Sequence, residues 1–174
     1  MTKNLRVKTS KFIDETSKIS FKFNEKIYYG FKGDTLASAL IANNVHLVGR
    51  SFKYHRPRGI MTAGSEEPNA IVQVNGNTAY TEPNVRATEI EIYEGLEATS
   101  QNCWPSVNFD IGGINNILSP ILPAGFYYKT FMWPASFWEK YEYVIRHSAG
   151  LGKSPKVADP DIYDHRYIHC DVLV

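Results

Sequence analysis

The chain has little cysteine, little net charge and no long apolar run, and each shortage removes a class of protein. Two cysteines in 174 residues, Cys103 and Cys170, stand far apart and unpatterned. That excludes a disulfide framework and fits a reducing compartment, so a cytoplasmic protein is expected. A formal net charge of +1 gives no global field to attract nucleic acid or an anionic membrane surface. No apolar stretch approaches the roughly 20 residues needed to span a bilayer. Lys3, Arg6 and Lys8 near the start are not followed by an apolar segment, so they do not read as a secretory leader. What the chain has in excess is aromatic side chains, at 13%.

Residues 1–17 are polar and read as a tail. Residues 18–23 then alternate, with Ile19, Phe21 and Phe23 on one face. After a turn at Asn24 and Glu25, residues 26–31 return, and Ile27, Tyr29 and Phe31 are expected to face inward, completing a hairpin. Asp34 is expected to cap a helix over 35–43 whose Leu36, Ala39 and Leu40 form an apolar stripe. A long loop follows over 46–69, of a length that is usually functional or packed on a partner. Residues 70–74 read as a strand, Pro83 confines the next segment to an edge or loop, Ile90 and Ile92 suit a half-solvated strand, and 96–100 a last strand. Strand, strand, helix, loop and further strands make an α+β chain of β-grasp type over 18–100.

Beyond residue 100 the composition changes. Residues 101–164 form an aromatic-rich connector, with a one- or two-turn helix over 113–118 and a longer one over 136–149, opened by a capping box of Ser136 and Glu139. Tyr127, Tyr128, Phe131, Trp133 and Trp138 carry more apolar area than a small β-grasp core covers, at about 1.5–3 kcal/mol per buried side chain, so they are expected at an interface. Residues 165–174 end in a β-rich run, read from composition alone as an edge strand.

Several residues invite a chemical role. Arg50, Lys53, Arg56 and Arg58, interleaved with Phe52, Tyr54 and His55, suit either phosphate with base stacking or a protein docking loop. The short run and the balanced charge favour docking, through Arg50, Lys53, Tyr54, Arg56 and Arg58 as interface residues. His165, His169 and Cys170 have metal-ligand types, but a strand would turn Cys170 away from both histidines, so no metal site is expected. Glu66 and Glu67 read as solvated or paired to nearby arginines.

Arg58-Gly-Ile-Met-Thr-Ala-Gly-Ser-Glu-Glu-Pro-Asn-Ala-Ile-Val-Gln-Val74, followed by Pro83-Asn-Val-Arg-Ala-Thr88, resembles the cluster loop of plant-ferredoxin-type 2Fe–2S domains fused to amine and amino-acid oxidoreductases. That family reads Arg-Gly-x-x-Cys-x4-Cys-x2-Cys-(Leu/Ile)-Val and later Asn-Val-Arg-Ala-Cys. Its thiolate positions fall here on Thr62, Glu67, Ala70 and Thr88, none a cysteine, whereas such a cluster is held by four thiolates. The resemblance therefore implies a ferredoxin-like fold without its cluster, and no cofactor in this stretch.

Longer matches narrow the family. Val48-Gly-Arg-Ser-Phe-Lys-Tyr-His-Arg-Pro-Arg-Gly59, Pro120-Ile-Leu-Pro-Ala-Gly-Phe-Tyr-Tyr-Lys-Thr-Phe-Met-Trp-Pro134 and Tyr163-Asp-His-Arg-Tyr-Ile-His-Cys-Asp-Val-Leu-Val174 resemble the N-terminal part of sarcosine oxidase alpha subunits. In that family, enzymes demethylate sarcosine to glycine using NAD, FAD, FMN and tetrahydrofolate, with beta, gamma and delta subunits. The resemblance implies that residues 1–174 are a non-catalytic assembly region, with 165–174 the first strand of a dinucleotide-binding domain. A free-standing ferredoxin-like adaptor or electron carrier is the alternative.

Overall fold

The structure, a computed structural model, describes residues 5–7, 11–121 and 134–172. Strands β1 (Asp14–Phe23) and β2 (Lys26–Lys32) open the fold, followed by helix α1 (Leu36–Ala42). A two-stranded ribbon, β3 (Gly49–Arg50) with β4 (Pro57–Arg58), interrupts the long loop. Strands β5 (Ile71–Val74), β6 (Glu82–Arg86) and β7 (Glu97–Ser100) complete a five-stranded sheet in the order β2-β1-β7-β5-β6. Among the described residues the β1–β7 pair is parallel and the other strand pairs are antiparallel. A mixed sheet gripping one helix is the expected α+β β-grasp.

The hairpin shows why parity matters. Asn24 and Glu25 both have positive φ, 47° and 67°, as a two-residue turn of the right-handed hairpin type requires. Such a turn pairs Phe23 with Lys26, Phe21 with Tyr28 and Ile19 with Gly30. Directly opposed residues share a face, so β2 presents Tyr28 and Gly30 to the core, and the expectation for Ile27, Tyr29 and Phe31 is inverted. Ile27 is 60% exposed, Tyr29 lies under the Lys18 ammonium at 3.9 Å, and Phe31 is only half-buried. Phe21 and Tyr28 pack ring to ring at 6.0 Å.

α1 lays Leu36, Ala39 and Leu40, all fully buried, onto Phe21, Phe23, Val72, Val74 and Leu96. Its cap is Thr35, whose hydroxyl accepts from the Ser38 amide at 3.2 Å, rather than Asp34. Asp34 turns inward instead. It accepts from the Phe31 amide at 2.9 Å and the Ser38 hydroxyl at 2.7 Å, and it pairs with Arg6 through both terminal guanidinium nitrogens. Residues 5–7 of the expected tail are thereby fastened to the domain, and β1 begins within that tail at Asp14.

Two further segments differ from expectation. Residues 90–92 are no strand: the Leu36 amide donates to the Ile90 carbonyl and the Ile92 amide to the Asp34 carbonyl, so they clasp the helix start. Residues 165–172 are exposed and without regular structure, where the sequence suggested a strand.

The connector carries short helical turns at Ile111–Gly113, α2 (Ile114–Ile117) and Ser119–Ile121, then Ala135–Phe137 leading into α3 (Trp138–Ser148). α2 and α3 overlap the stretches 113–118 and 136–149, but Ser136 lies within the Ala135–Phe137 turn and not at the cap expected of it, since α3 starts at Trp138. Trp104, Phe109, Ile114, Ile117, Trp138 and Tyr143 stay half or more exposed.

Candidate functional site

The loop between β4 and β5 folds around one side chain. Gly59, in the Arg-Gly step, lets the chain pass against the His46 carbonyl, which a Cβ would meet at 2.5 Å. From there residues 61–70 wrap over the end of β5 and bring their amides inward. The Glu67 carboxylate is 1% exposed and sits at the centre. Its Oε2 accepts from the amides of Met61 at 2.8 Å and Thr62 at 2.7 Å, and from the Thr62 hydroxyl at 3.2 Å. Oε1 accepts from the amides of Asn69 at 2.9 Å and Ala70 at 3.2 Å. Burial pushes this carboxyl upward, but the four backbone N–H groups outweigh it and hold Glu67 below the usual carboxylate range.

The four positions singled out in the sequence therefore converge on one small volume, held together by side-chain and backbone bonds. Thr62 and Ala70 donate to Glu67, and the buried Thr88 hydroxyl donates to the Gly64 carbonyl at 2.7 Å, tying the turn after β6 to the loop. Arg86 Nε donates to the Glu67 carbonyl at 3.1 Å. These residues do not fit an iron–sulfur cluster. No thiolate stands at any of the four positions, and the loop amides that would face cluster sulfur are engaged by a carboxylate. No group of three or more potential metal ligands occurs among the described residues.

Sequence reasoning missed Glu67 by treating it as equal to Glu66. The signal was present: Glu67 falls on a ligand position, where the side chain must point into the loop, and Glu66 does not. Glu66 is exposed.

The basic segment is held from within the chain. Arg50 donates through Nε and Nη2 to the Val107 carbonyl at 2.8 and 2.6 Å, and through Nη1 to the His55 carbonyl at 3.2 Å. His55 Nδ1 meets the buried Asp110 carboxylate at 2.6 Å, and Arg56 Nε donates to Asn116 at 2.8 Å. The Lys53 ammonium and the Arg56 guanidinium lie 5.0 and 4.9 Å from the Tyr54 ring centre. The ribbon thus clamps residues 102–116 of its own connector. Arg58 lines an open groove of about 470 Å3 with Arg50, Lys53 and Tyr54. Of the aromatic interface candidates, Trp138 is 50% exposed, while Tyr127, Tyr128, Phe131 and Trp133 lie outside the described residues.

The remaining candidates form no cluster among the described residues. Burial, helped by Asp110 and opposed by Arg50, pushes the Cys103 thiol up, away from reactivity. His165, His169 and Cys170 are each exposed on a segment without regular structure.

A mixed β-grasp sheet, with a loop of ferredoxin cluster pattern between its ribbon and its central strands, defines a ferredoxin-type domain. The chain belongs to the 2Fe-2S iron-sulfur cluster binding domain family, which matches residues 16–103. It is 63% identical over 163 residues to the sarcosine oxidase subunit alpha of Rhizobium meliloti (strain 1021), covering 93% of this chain and 16% of that protein. Sarcosine oxidase alpha subunits of Corynebacterium sp. strains U-96 and P-1 are 32% and 29% identical, over 83% and 93% of this chain. The chain spans 10% and 12% of those two proteins, so all three relatives are several times longer. Among solved structures, L-proline dehydrogenase from P. horikoshii aligns over 52% of this chain and 16% of that one, at 24% identity and a TM-score of 0.40, too distant to bear on function. No helix among the described residues is long and apolar enough to cross a membrane.

Proposed function

We propose that this chain is the N-terminal structural and assembly region of a sarcosine oxidase alpha subunit, without catalytic groups of its own. The observation that carries this reading is the 63% identity, sustained over 93% of the chain, to the R. meliloti alpha subunit. On this reading the complete cytoplasmic enzyme oxidatively demethylates sarcosine to glycine, with NAD, FAD, FMN and tetrahydrofolate bound elsewhere. The β-grasp domain over 18–100 and the connector over 101–164 present a surface to the rest of the alpha subunit and to beta, gamma and delta subunits. Residues 165–174 then form the first strand of the dinucleotide-binding domain.

Three features support the assembly role. The four positions where the family's pattern has cysteine carry Thr62, Glu67, Ala70 and Thr88, so electron transfer through this loop has no metal to use. Arg50, His55 and Arg56 hold the connector against the domain, making one docking unit. Trp104, Phe109, Ile117 and Trp138 leave that unit with apolar area open to solvent, of the kind that marks a protein interface.

The test is co-expression of the 174-residue chain, tagged, with the beta, gamma and delta subunits and the remainder of the alpha subunit. Purification without oxygen should bring the other parts with the chain, and the complex should show flavin absorbance but no stoichiometric iron or acid-labile sulfide. Visible iron–sulfur absorbance in stoichiometric amount would instead establish an electron carrier, and a monomer that binds none of the parts would end the assembly reading.

A further inference from the structure

We propose that residues 61–70 form a backbone anion nest whose resident anion is the chain's own Glu67 side chain, and that the nest, once emptied, takes a small monocarboxylate from solution. Glu67 is buried, yet none of the salt bridges among the described residues includes it. Its charge is balanced by N–H dipoles and one hydroxyl. The amides come from both flanks of the loop, Met61 and Thr62 on the entering side, Asn69 and Ala70 on the leaving side. Each carboxylate oxygen takes one flank. Remove the anion and the loop has two pairs of inward N–H groups with nothing to accept them.

Converging backbone amides are a recognised way to bind anions, and iron–sulfur sites are among the groups they hold. A cluster held by four thiolates is anionic, and hydrogen bonds to its sulfurs are part of its environment. The loop's demand is thus for negative charge at its centre, whatever atoms supply it. Glu67 supplies it from a former ligand position, so this residue answers the electrostatic requirement of the site, not its metal-binding one. Thr62 and Thr88 do the complementary work of fastening the loop, one to the anion and the other to the Gly64 carbonyl. The vacancy left by cutting Glu67 back to its Cβ is the size of a formate or acetate ion with its two oxygens in the same places.

The inference concerns the loop alone and holds whether or not the chain assembles with other subunits. Its test uses the 174-residue chain as wild type, Glu67→Ala and Glu67→Leu, unfolded with urea in the presence of sodium formate or of formamide, the uncharged analogue, at equal concentration. Formate should raise the midpoint of Glu67→Ala saturably and leave wild type and Glu67→Leu unmoved, while formamide moves none of them. Formate at ten times its dissociation constant multiplies the folding constant of Glu67→Ala about elevenfold. Should Glu67→Ala be unfolded in plain buffer, formate is expected to restore its far-ultraviolet circular dichroism and formamide is not. An equal response of all three proteins, an equal response to formamide, or no response of Glu67→Ala overturns the proposal.

Discussion

Replacing Glu67 with glutamine tests the loop with almost no change in shape. The carboxylate has two acceptor oxygens, and each receives two backbone amides: Met61 and Thr62 on Oε2, Asn69 and Ala70 on Oε1. A glutamine amide has one acceptor and one NH2 donor. Whichever way it flips, its NH2 faces a pair of N–H groups. Two buried donors then lack an acceptor, at about 1–3 kcal/mol each. The loss is therefore about 2–6 kcal/mol, before counting the weakening of the surviving pair, which no longer meets a charge. Against a total stability of about 5–15 kcal/mol this is a large fraction. With a urea slope near about 2 kcal/mol/M, the midpoint of the 174-residue chain should fall by about 1–3 M. Glu66→Gln, one residue earlier and exposed, should stay within about 0.5 kcal/mol of wild type. A Glu67→Gln midpoint equal to that of Glu66→Gln would refute the reasoning, because it would mean that solvent serves those amides as well as the carboxylate does.

The same group sets a pH dependence. Burial raises the Glu67 pKa, the four amide bonds more than reverse this, and the folded value lies below the ordinary 4.5. Its stabilisation is therefore fully present above that value and is lost as pH falls through the folded pKa. Urea midpoints between about pH 7 and pH 3 should drop more steeply for wild type than for Glu67→Gln; parallel curves would exclude Glu67 as the source. Asp14, Glu94 and Asp159 are also lowered, but they are solvent-exposed and common to both proteins, so the comparison cancels them. In β2, Tyr28→Ala should cost about 2–4 kcal/mol and Ile27→Ala less than about 1 kcal/mol, the reverse of what alternation from Ile27 suggests; thermal melts decide it. Asp34→Ala, which removes the ion pair with Arg6 and the acceptor of the Phe31 amide, should destabilise by about 3–5 kcal/mol and speed proteolysis ahead of β1.

What was readable from the residues were the periodicities. Phe21 and Phe23, the Leu36-Ala39-Leu40 stripe, the strand near residues 70–74 and the helix near 136–149 all follow from one-dimensional spacing, and each is found in place. What could not be read from spacing alone was anything that depends on a pairing. The inward face of β2 follows from the opposed pairs that a two-residue turn imposes, and strand alternation by itself is equally consistent with either face. Asp34 looks like a cap until Arg6, 28 residues away, is brought to it. The ribbon within residues 46–69 has strands of two residues each, too short to leave a pattern. The candidate site lay between these cases. The resemblance located the four positions, but the conversion of one into an acceptor for four amides needed the folded loop.

The outer border of the sheet at β6 carries a consequence beyond this domain. Pro83 has no N–H to offer there, and the Asn84 amide is already given to the Gln101 side chain at 2.7 Å. Residues beyond α3 lie against the same end of the sheet, with the Gly152 amide on the Asn84 side chain of β6 at 3.1 Å and the Lys153 amide on the Gln73 side chain of the adjoining β5 at 3.1 Å. At these two consecutive positions an incoming polypeptide finds no free backbone donor on which to extend the ladder. Pairing with a neighbouring chain through Pro83 and Asn84 is thereby disfavoured, and contacts at that stretch fall to side chains, which can discriminate among neighbours as a bare backbone cannot.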